Sequence, residues 1–391
     1  MTYFKSEKKQ NFAIKFLCFC FAFLLTLTLL VSSFLVRIQN SFGATQTGKL
    51  AVTPSGYDDI GEVLEKLGFQ ADEIQEEDLA SGSTLSSYDA VYINCSSSID
   101  SYVEDAATIV RDYVKNGGII YASDYTNALM DAAFPGKINF YKSSGSLDSV
   151  NAARVGNSGE VEADVTDSGL AAVLGKTKIK VNYDLGSWAV IDSVGSGVQV
   201  LMKGSVPITD FNFDSLQDSE NLDLNNLTKT LENKPLVVTF SEGKGQVLYT
   251  TFHNEAQKTS DTESVLNWFA VRAKAGKLSQ AVQELITKDG NEVLQEIVDS
   301  INQGETKKYL FGASGEADFQ IILNFGGSKL SLKITDPNGK EVASQTVSSP
   351  PYTKSIDATK GNYEIEIKGV EVPEKNYPFV VAVGGPEEAM V

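Results

Sequence analysis

Apolar and polar residues follow two alternating periods along residues 48–134, which predicts strands and helices in turn. One helical stretch carries Ile60, Val63, Leu64 and Leu67 at spacings of three and four, and Gly68 ends it. The short runs that we predict to be strands lie at 49–52, 69–74, 88–94 and 119–122, and the last of them is apolar enough to be buried. Strand–helix alternation of this kind predicts an α/β fold with a doubly wound, mostly parallel sheet.

The pattern changes twice further along the chain. Residues 236–240 and 246–252 are apolar and flank Gly243-Lys244-Gly245, which predicts a hairpin of two buried strands and closes an α/β domain over 45–276. Residues 277–304 carry apolar positions at helical spacing, interrupted by Asp289-Gly290. We interpret them as a helical linker that packs within the chain, although a coiled-coil contact with a partner is an alternative.

From Lys307 onward the apolar residues recur at every second position. Residues 330–334 and 363–367 show this alternation, residues 319–323 and 379–383 are apolar runs that we also predict to be strands, and Asp336-Pro337-Asn338-Gly339 is a turn sequence. Short alternating strands separated by turns predict an antiparallel β-sandwich over 305–391.

The N-terminus has the composition of a membrane-targeting segment. Four lysines precede an uncharged run of 21 residues, 16–36, and Arg37 follows it. As a helix this run is about 31 Å long, which is enough to cross a bilayer. The basic flank predicts a cytoplasmic N-terminus and an exported remainder. The length favours an uncleaved signal-anchor over residues 1–44, while Ser41-Phe42-Gly43 offers the alternative of cleavage and secretion.

Charge and cysteine content fit an extracytoplasmic location. Of 33 basic and 51 acidic residues, five and one respectively lie within residues 1–44, which leaves the remainder with a net charge of −22. Such a surface repels nucleic acid, so we predict no nucleic-acid partner. Cys18 and Cys20 lie within the apolar run, and Cys95 is the remaining thiol, so the exported part has no internal disulfide.

The only histidine is the first candidate for chemistry. His253 follows the predicted strand 246–252 and forms a His-x-Glu with Glu255. Ligands and reacting groups of open α/β sheets lie at the carboxyl ends of strands, and histidine is suited to proton transfer near neutral pH. A purely structural role at a strand end is the alternative. No glycine-rich phosphate loop follows the first strand and no His/Cys cluster is visible, so we predict no cofactor and no metal.

Two parts of the chain resemble known families. Residues 330–340 and 361–367 resemble the pre-peptidase C-terminal β-sandwiches of bacterial exported enzymes, which implies a binding or spacing role. Residues 88–94, 114–125 and 245–255 resemble three segments of the class I glutamine amidotransferase-like fold: the strand before the oxyanion loop, the nucleophile elbow and the His-x-Glu.

The second resemblance implies a site. Ser123 falls on the family's nucleophilic cysteine, His253 on its base and Glu255 on the residue that orients this base. The elbow departs from the family, because bulky Asp124 and Tyr125 follow Ser123 where glycines are usual. Ser123 is alternatively a helix cap, and Cys95 is a weaker candidate nucleophile. Ligand-binding candidates at this edge of the sheet are Cys95, Ser96, Ser97 and Asp124.

These features support competing functions. The missing cysteine and the bulky elbow favour a degenerate, non-catalytic domain that binds an envelope ligand or protein partner and is tethered to the membrane through residues 16–36. The intact His-x-Glu favours a serine hydrolase or peptidase that uses Ser123, His253 and Glu255 on an envelope substrate. A third possibility is that residues 278–391 assemble a larger envelope complex around the α/β domain.

Overall fold

A computed structural model describes residues 48–390, except for 168–169, 172–173, 210–227 and 255–258. The apolar run 16–36 and the possible cleavage site at 41–43 lie outside the described residues. Within the described ranges, no helix is both long enough and apolar enough to cross a membrane. The described residues form one compact unit.

The N-terminal part is built on a nine-stranded mixed sheet. Its strands are, in chain order, β1 Leu50–Val52, β2 Ala71–Glu73, β3 Ala90–Ile93, β4 Ile119–Ser123, β6 Gly159–Val165, β7 Lys178–Tyr183, β9 Val198–Thr209, β10 Thr228–Glu242 and β11 Gly245–Thr250. The order across the sheet is β2-β1-β3-β4-β11-β10-β9-β6-β7. Two further strands, β5 Ile138–Phe140 and β8 Ile191–Val194, pair with each other.

The sheet is parallel in one half only, which corrects the expectation of a mostly parallel sheet. Neighbouring strands from β2 to β11 run parallel, whereas the pairs from β11 to β7 are antiparallel. The change of direction occurs at the predicted hairpin. Gly243 at its turn has φ +61°, and a Cβ there would lie 2.5 Å from the carbonyl oxygen of Lys115, so the turn requires glycine.

Six α-helices whose full extent lies within the described residues accompany these strands. They are α1 Ile60–Lys66, α2 Gly82–Leu85, α3 Val103–Lys115, α4 Asn127–Ala133, α5 Leu147–Asn151 and α6 Ser260–Lys288. α1 covers the predicted helical stretch at residues 60–67, and the apolar faces of α1, α3 and α4 are buried in the core that includes Val63, Val110 and Leu129.

Residues 292–301 are a strand, not the second half of a helical linker. Helix α6 continues without a break to Lys288, Gly290 follows in the left-handed region at φ +79°, and β12 Glu292–Ile301 then begins. β12 has apolar side chains on both faces because it lies between helix α6 and the sandwich core, and a register shift falls between Val293 and Gln295. Because of the apolar side chains on both faces and the register shift, the spacing of apolar residues in this strand resembles a helical period.

The C-terminal part consists of two four-stranded antiparallel sheets, as the sequence predicts, and β12 is its first strand. One sheet has the order β12-β19-β14-β17 and the other β13-β18-β15-β16. The remaining bounds are β13 Thr306–Ala313, β14 Ala317–Phe325, β15 Lys329–Thr335, β16 Glu341–Val347, β17 Tyr352–Ala358, β18 Gly361–Glu371 and β19 Tyr377–Gly385. A core of side chains such as Phe319, Ile334 and Ile365 lies between the sheets.

Helix α6 joins the two parts through a small apolar core of its own. Leu278, Val282 and Ile286 pack against Ile322 and Val380 on the outer face of one sandwich sheet. The side-chain amide of Asn324 donates to the carbonyl of Leu278 at 3.0 Å, and both groups are buried. The helix therefore serves as a packed layer of the sandwich and not as a free linker.

Candidate functional site

Polar side chains collect at the carboxyl ends of the parallel strands, where the sequence places its candidate residues. β3 ends beside Asn94 and Cys95, β4 ends at Ser123, and β11 ends three residues before His253. Parallel pairing of β4 with β11 sets Ser123 beside Thr250. Asp58, Cys95, Ser123, Asp124 and His253 are all buried. The sheet thus gathers one imidazole, one thiol, one hydroxyl and two carboxylates in its interior.

The sharp turn after β4 is centred on Asp124, one residue later than the resemblance implies. Asp124 has φ +40°, a conformation that non-glycine residues seldom adopt, and it begins a single helical turn to Thr126. Its carbonyl accepts from the Tyr249 hydroxyl at 2.6 Å, and its Oδ1 accepts from the backbone N–H of Ala189 at 2.7 Å. These contacts hold the strained turn and fix the direction of the carboxylate.

The imidazole of His253 lies between two carboxylates. Its Nε2 is 3.2 Å from Oδ2 of Asp124, and its Nδ1 is 3.6 Å from Oδ1 of Asp184. Asp124 is 1% exposed, whereas the Asp184 side chain is 36% exposed and lies towards solvent. The ring is therefore oriented from both nitrogens, with the closer contact on the buried side.

The pKa values of both His253 and Asp124, which form the closer pair, are raised. Burial acts to lower the pKa of His253, but the carboxylates of Asp124, Asp58 and Asp184 outweigh it, and the pKa is raised. Burial raises the pKa of Asp124, against the opposing effect of His253. Each group therefore keeps a proton to a higher pH than its free counterpart does.

Ser123 is directed to a different partner. Its hydroxyl donates to Oδ2 of Asp58 at 3.3 Å, and it makes no capping hydrogen bond to the turn that follows. Asp58 also accepts from the backbone N–H of Asn254 at 3.0 and 3.1 Å and from that of Asp59 at 3.0 Å. Glu255, the predicted third member of the triad, lies outside the described residues.

The thiol of Cys95 belongs to the same buried cluster as the imidazole. Its thiol lies 3.8 Å from Oδ2 of Asp124, and Sγ accepts from the backbone N–H of Tyr125 at 3.4 Å. Burial and the charge of Asp124 raise the pKa of this thiol far above its ordinary value. A thiol that remains protonated is a poor nucleophile.

The other ligand-binding candidates lie nearer the surface. Ser96 is buried and its hydroxyl contacts that of Ser98 at 2.5 Å, whereas Ser97 is exposed. Beside them, Tyr57 is 44% exposed and meets Tyr125 edge to face at 5.5 Å. The guanidinium of Arg154 lies 4.1 Å from the Tyr125 ring centre and is paired with Asp100 at 2.9 Å. This aromatic pair lies next to the buried cluster and is its boundary with solvent.

Sequence reasoning missed two of the carboxylates. Asp58 follows β1 and Asp184 follows β7, and neither belongs to the motifs that identify the elbow or the His-x-Glu. The signal for Asp58 was present, because the loop that follows a parallel strand lies at the same edge of the sheet as the other candidates, and Asp58 lies in the loop between β1 and α1. The signal for Asp184 was absent, because β7 joins the antiparallel half of the sheet.

Comparisons with known proteins give similarity to solved structures only, at low sequence identity. No protein-family model matches the chain. No curated protein matches it either. A GMP synthase-type protein from Thermoplasma acidophilum is 12% identical, with 60% of this chain and 98% of that chain covered and a TM-score of 0.41. PurLQS from Thermotoga maritima is 12% identical, with coverages of 57% and 99% and a TM-score of 0.37.

The C-terminal part has a separate neighbour. The pre-peptidase C-terminal domain of a collagenase from Bacillus anthracis is 13% identical, with 23% of this chain and 89% of that chain covered and a TM-score of 0.21. Similar solved structures thus include amidotransferase-like proteins and a pre-peptidase C-terminal domain, at low identity and over part of the chain. The architecture is a mixed α/β sheet followed by antiparallel sheets.

Proposed function

We propose that this chain is a tethered, extracytoplasmic binding protein whose α/β domain is a non-catalytic relative of the class I amidotransferase-like fold. The strand order β2-β1-β3-β4-β11, with parallel pairing throughout, supports the doubly wound relationship, since flavodoxin-like sheets have the order 2-1-3-4-5. The antiparallel strands β10, β9, β6 and β7 then extend that sheet at one edge.

The residue at the elbow carries the proposal. The position that faces His253 from the strained turn is Asp124, a carboxylate without the hydroxyl or thiol that attacks a carbonyl in acyl transfer. Its negative charge also lies where an oxyanion would need hydrogen-bond donors. The neighbouring hydroxyl of Ser123 is engaged with Asp58, and the thiol of Cys95 is held protonated. These four observations together favour loss of catalysis.

The surface beside this cluster is the expected binding region. Tyr57 and Tyr125 form an aromatic pair with Arg154 against one ring, and Ser97 lies exposed on the neighbouring loop. Aromatic rings with an adjacent cation and hydroxyls present both apolar and hydrogen-bonding contacts to a ligand. A small polar ligand or a segment of a partner protein fits this combination.

A fluorophosphonate probe on the full chain tests the absence of catalysis. We expect no labelling of folded wild-type protein, with a known serine hydrolase labelled in parallel as the positive control. Labelling of the wild type that disappears in Ser123→Ala would establish the serine-hydrolase alternative. In that case the proposed binding role would be rejected for this cleft.

Membrane tethering is tested by fractionation of cells that produce the full chain. If residues 16–36 anchor the protein, it stays in the membrane pellet after an alkaline wash, and external protease removes the bulk of the chain. A Leu24→Arg/Leu25→Arg variant should lose this anchoring, because each arginine near the centre of a span costs about 3 kcal/mol. A mature chain that starts at Ala44 in the medium would show secretion instead.

A further inference from the structure

Three buried side chains from separate strands bring metal-binding atoms together beneath the aromatic pair. Sγ of Cys95, Oδ2 of Asp124 and Nε2 of His253 all lie within 4.8 Å of one another. All three residues are buried. We propose that Cys95, Asp124 and His253 bind a single zinc ion that fastens the carboxyl ends of β3, β4 and β11 together.

The spacing of these atoms agrees with tetrahedral coordination. Zinc bonds of about 2.0 Å to oxygen and nitrogen and about 2.3 Å to sulfur place tetrahedral N and O ligands roughly 3.3 Å apart, and S and O ligands roughly 3.5 Å apart. The observed separations are 3.2 Å between His253 and Asp124 and 3.8 Å between Cys95 and Asp124. These two separations lie within a few tenths of an ångström of the tetrahedral values, and the three ligand atoms all lie within 4.8 Å of one another.

Each ligand is also oriented by a neighbour outside the three. Oδ1 of Asp124 is bound to the N–H of Ala189, which turns Oδ2 towards the thiol and the imidazole. Nδ1 of His253 faces Asp184 at 3.6 Å, and a carboxylate behind the second ring nitrogen is the usual support of a metal-bound histidine. The N–H of Tyr125 donates to Sγ of Cys95, which stabilises a thiolate.

The local charge favours a cation. The carboxylates of Asp58, Asp124 and Asp184 all act on His253, and Arg154, the nearest guanidinium acting on Asp124, is paired with Asp100. Asp58 and Asp124 are buried close to this imidazole, and buried carboxylates are costly unless positive charge is added. A divalent ion supplies that charge and also displaces the thiol proton.

The ligand types identify the ion. A thiolate combined with imidazole favours zinc, whereas magnesium and calcium prefer ligands that are all oxygen. The three side chains leave a fourth position for a buried water molecule. Because the site is closed to solvent in the described part of the chain, its role is structural, and it stands whether or not the domain catalyses a reaction.

Cobalt(II) provides a direct test, since it occupies zinc sites and reports its ligands by absorption. The full chain is stripped with a chelator and titrated with Co²⁺ under reducing, anaerobic conditions. We expect one equivalent to produce a thiolate-to-cobalt charge-transfer band and the intense visible bands of four-coordinate cobalt, and one equivalent of Zn²⁺ to abolish both. Native mass spectrometry of untreated protein should show one zinc ion per chain.

Variants distinguish cobalt bound at this site from cobalt bound at the protein surface. Cys95→Ser should remove the charge-transfer band, and His253→Gln should weaken cobalt binding by about 100-fold. Ser123→Ala, a buried neighbour that is not a ligand, should keep both spectrum and stoichiometry. The proposal is overturned if stripped wild-type protein binds no Co²⁺ at micromolar concentration and carries no zinc when isolated. It is equally overturned if the spectrum persists in Cys95→Ser. The cobalt titration and the zinc content of the wild-type protein test the proposal even if a variant fails to fold.

Discussion

Nε2 of His253 lies 3.2 Å from Oδ2 of Asp124 in the interior of the protein, although the two residues are 129 positions apart in sequence. The contact joins the ends of β4 and β11, which are neighbours in the parallel half of the sheet. It replaces the nucleophile–base contact that the amidotransferase-like resemblance implies. Asp124 thus has two roles. Its backbone adopts the strained conformation of the turn, and its carboxylate stabilises a buried imidazole.

Two substitutions at Asp124 test these two roles separately. Asp124→Ala places alanine at φ +40° and leaves the Ala189 N–H and the His253 ring without their acceptor, so we expect a loss of about 3–5 kcal/mol in the free energy of unfolding. Asp124→Asn keeps an acceptor and tolerates positive φ, and its loss should be about 1–3 kcal/mol. Urea unfolding in the presence of a chelator measures both. Equal losses of stability in the two variants would show that neither the positive φ nor the hydrogen-bond acceptor at residue 124 contributes to stability.

Asp58 should contribute more to stability than the serine it contacts. Its carboxylate accepts from two backbone N–H groups, of Asp59 and Asn254, as well as from the Ser123 hydroxyl. Asp58→Ala leaves buried donors unsatisfied and should cost about 3 kcal/mol or more, whereas Ser123→Ala should cost about 1 kcal/mol. Denaturant midpoints compare the two variants directly. The reverse ranking would mean that Ser123 has a role beyond its bond to Asp58.

Gly156 should be intolerant of any side chain because of Trp188. A Cβ at Gly156 would lie 2.1 Å from the indole, which is stacked on Tyr183 with ring centres 4.0 Å apart. We expect Gly156→Ala to destabilise the protein by about 1–3 kcal/mol and to change the fluorescence of Trp188, measured in a Trp268→Phe background. Gly186→Ala is the matched control, since nothing lies within 4 Å of its added Cβ. Similar effects in both variants would contradict the packing argument.

The contact between helix α6 and the sandwich predicts a rescue experiment. A Cβ at Gly384 in β19 would lie 2.6 Å from Cγ2 of Ile286 in α6. Gly384→Ala should therefore cost about 1–3 kcal/mol, and part of this loss should be recovered by Ile286→Ala in the double variant. Thermal unfolding of the four proteins gives the coupling energy. Gly315→Ala, with open space around its Cβ, should leave stability unchanged. A coupling energy of zero would show that the added Cβ at Gly384 does not clash with Ile286.

The chain itself determined most of the elements, because their signals are local. The runs around 50–52, 90–93 and 119–123 are strands, and the hairpin of β10 and β11 turns at Gly243 as predicted. Residues 292–301 show where local signals fail. A strand with apolar side chains on both faces and a register shift has no clean period of two, and only the layers above and below it decide its conformation.

Only the tertiary structure decided the site. The sequence identified His253, Ser123 and Cys95 as residues at strand ends, but a strand that continues to Ser123 moves the turn to Asp124. Which carboxylate meets which ring nitrogen depends on strand order, since Asp58, Asp124 and Asp184 come from three distant segments. Periodicity specifies which face a residue occupies, whereas contacts between ends of different strands are set by sheet topology, and local sequence does not encode it.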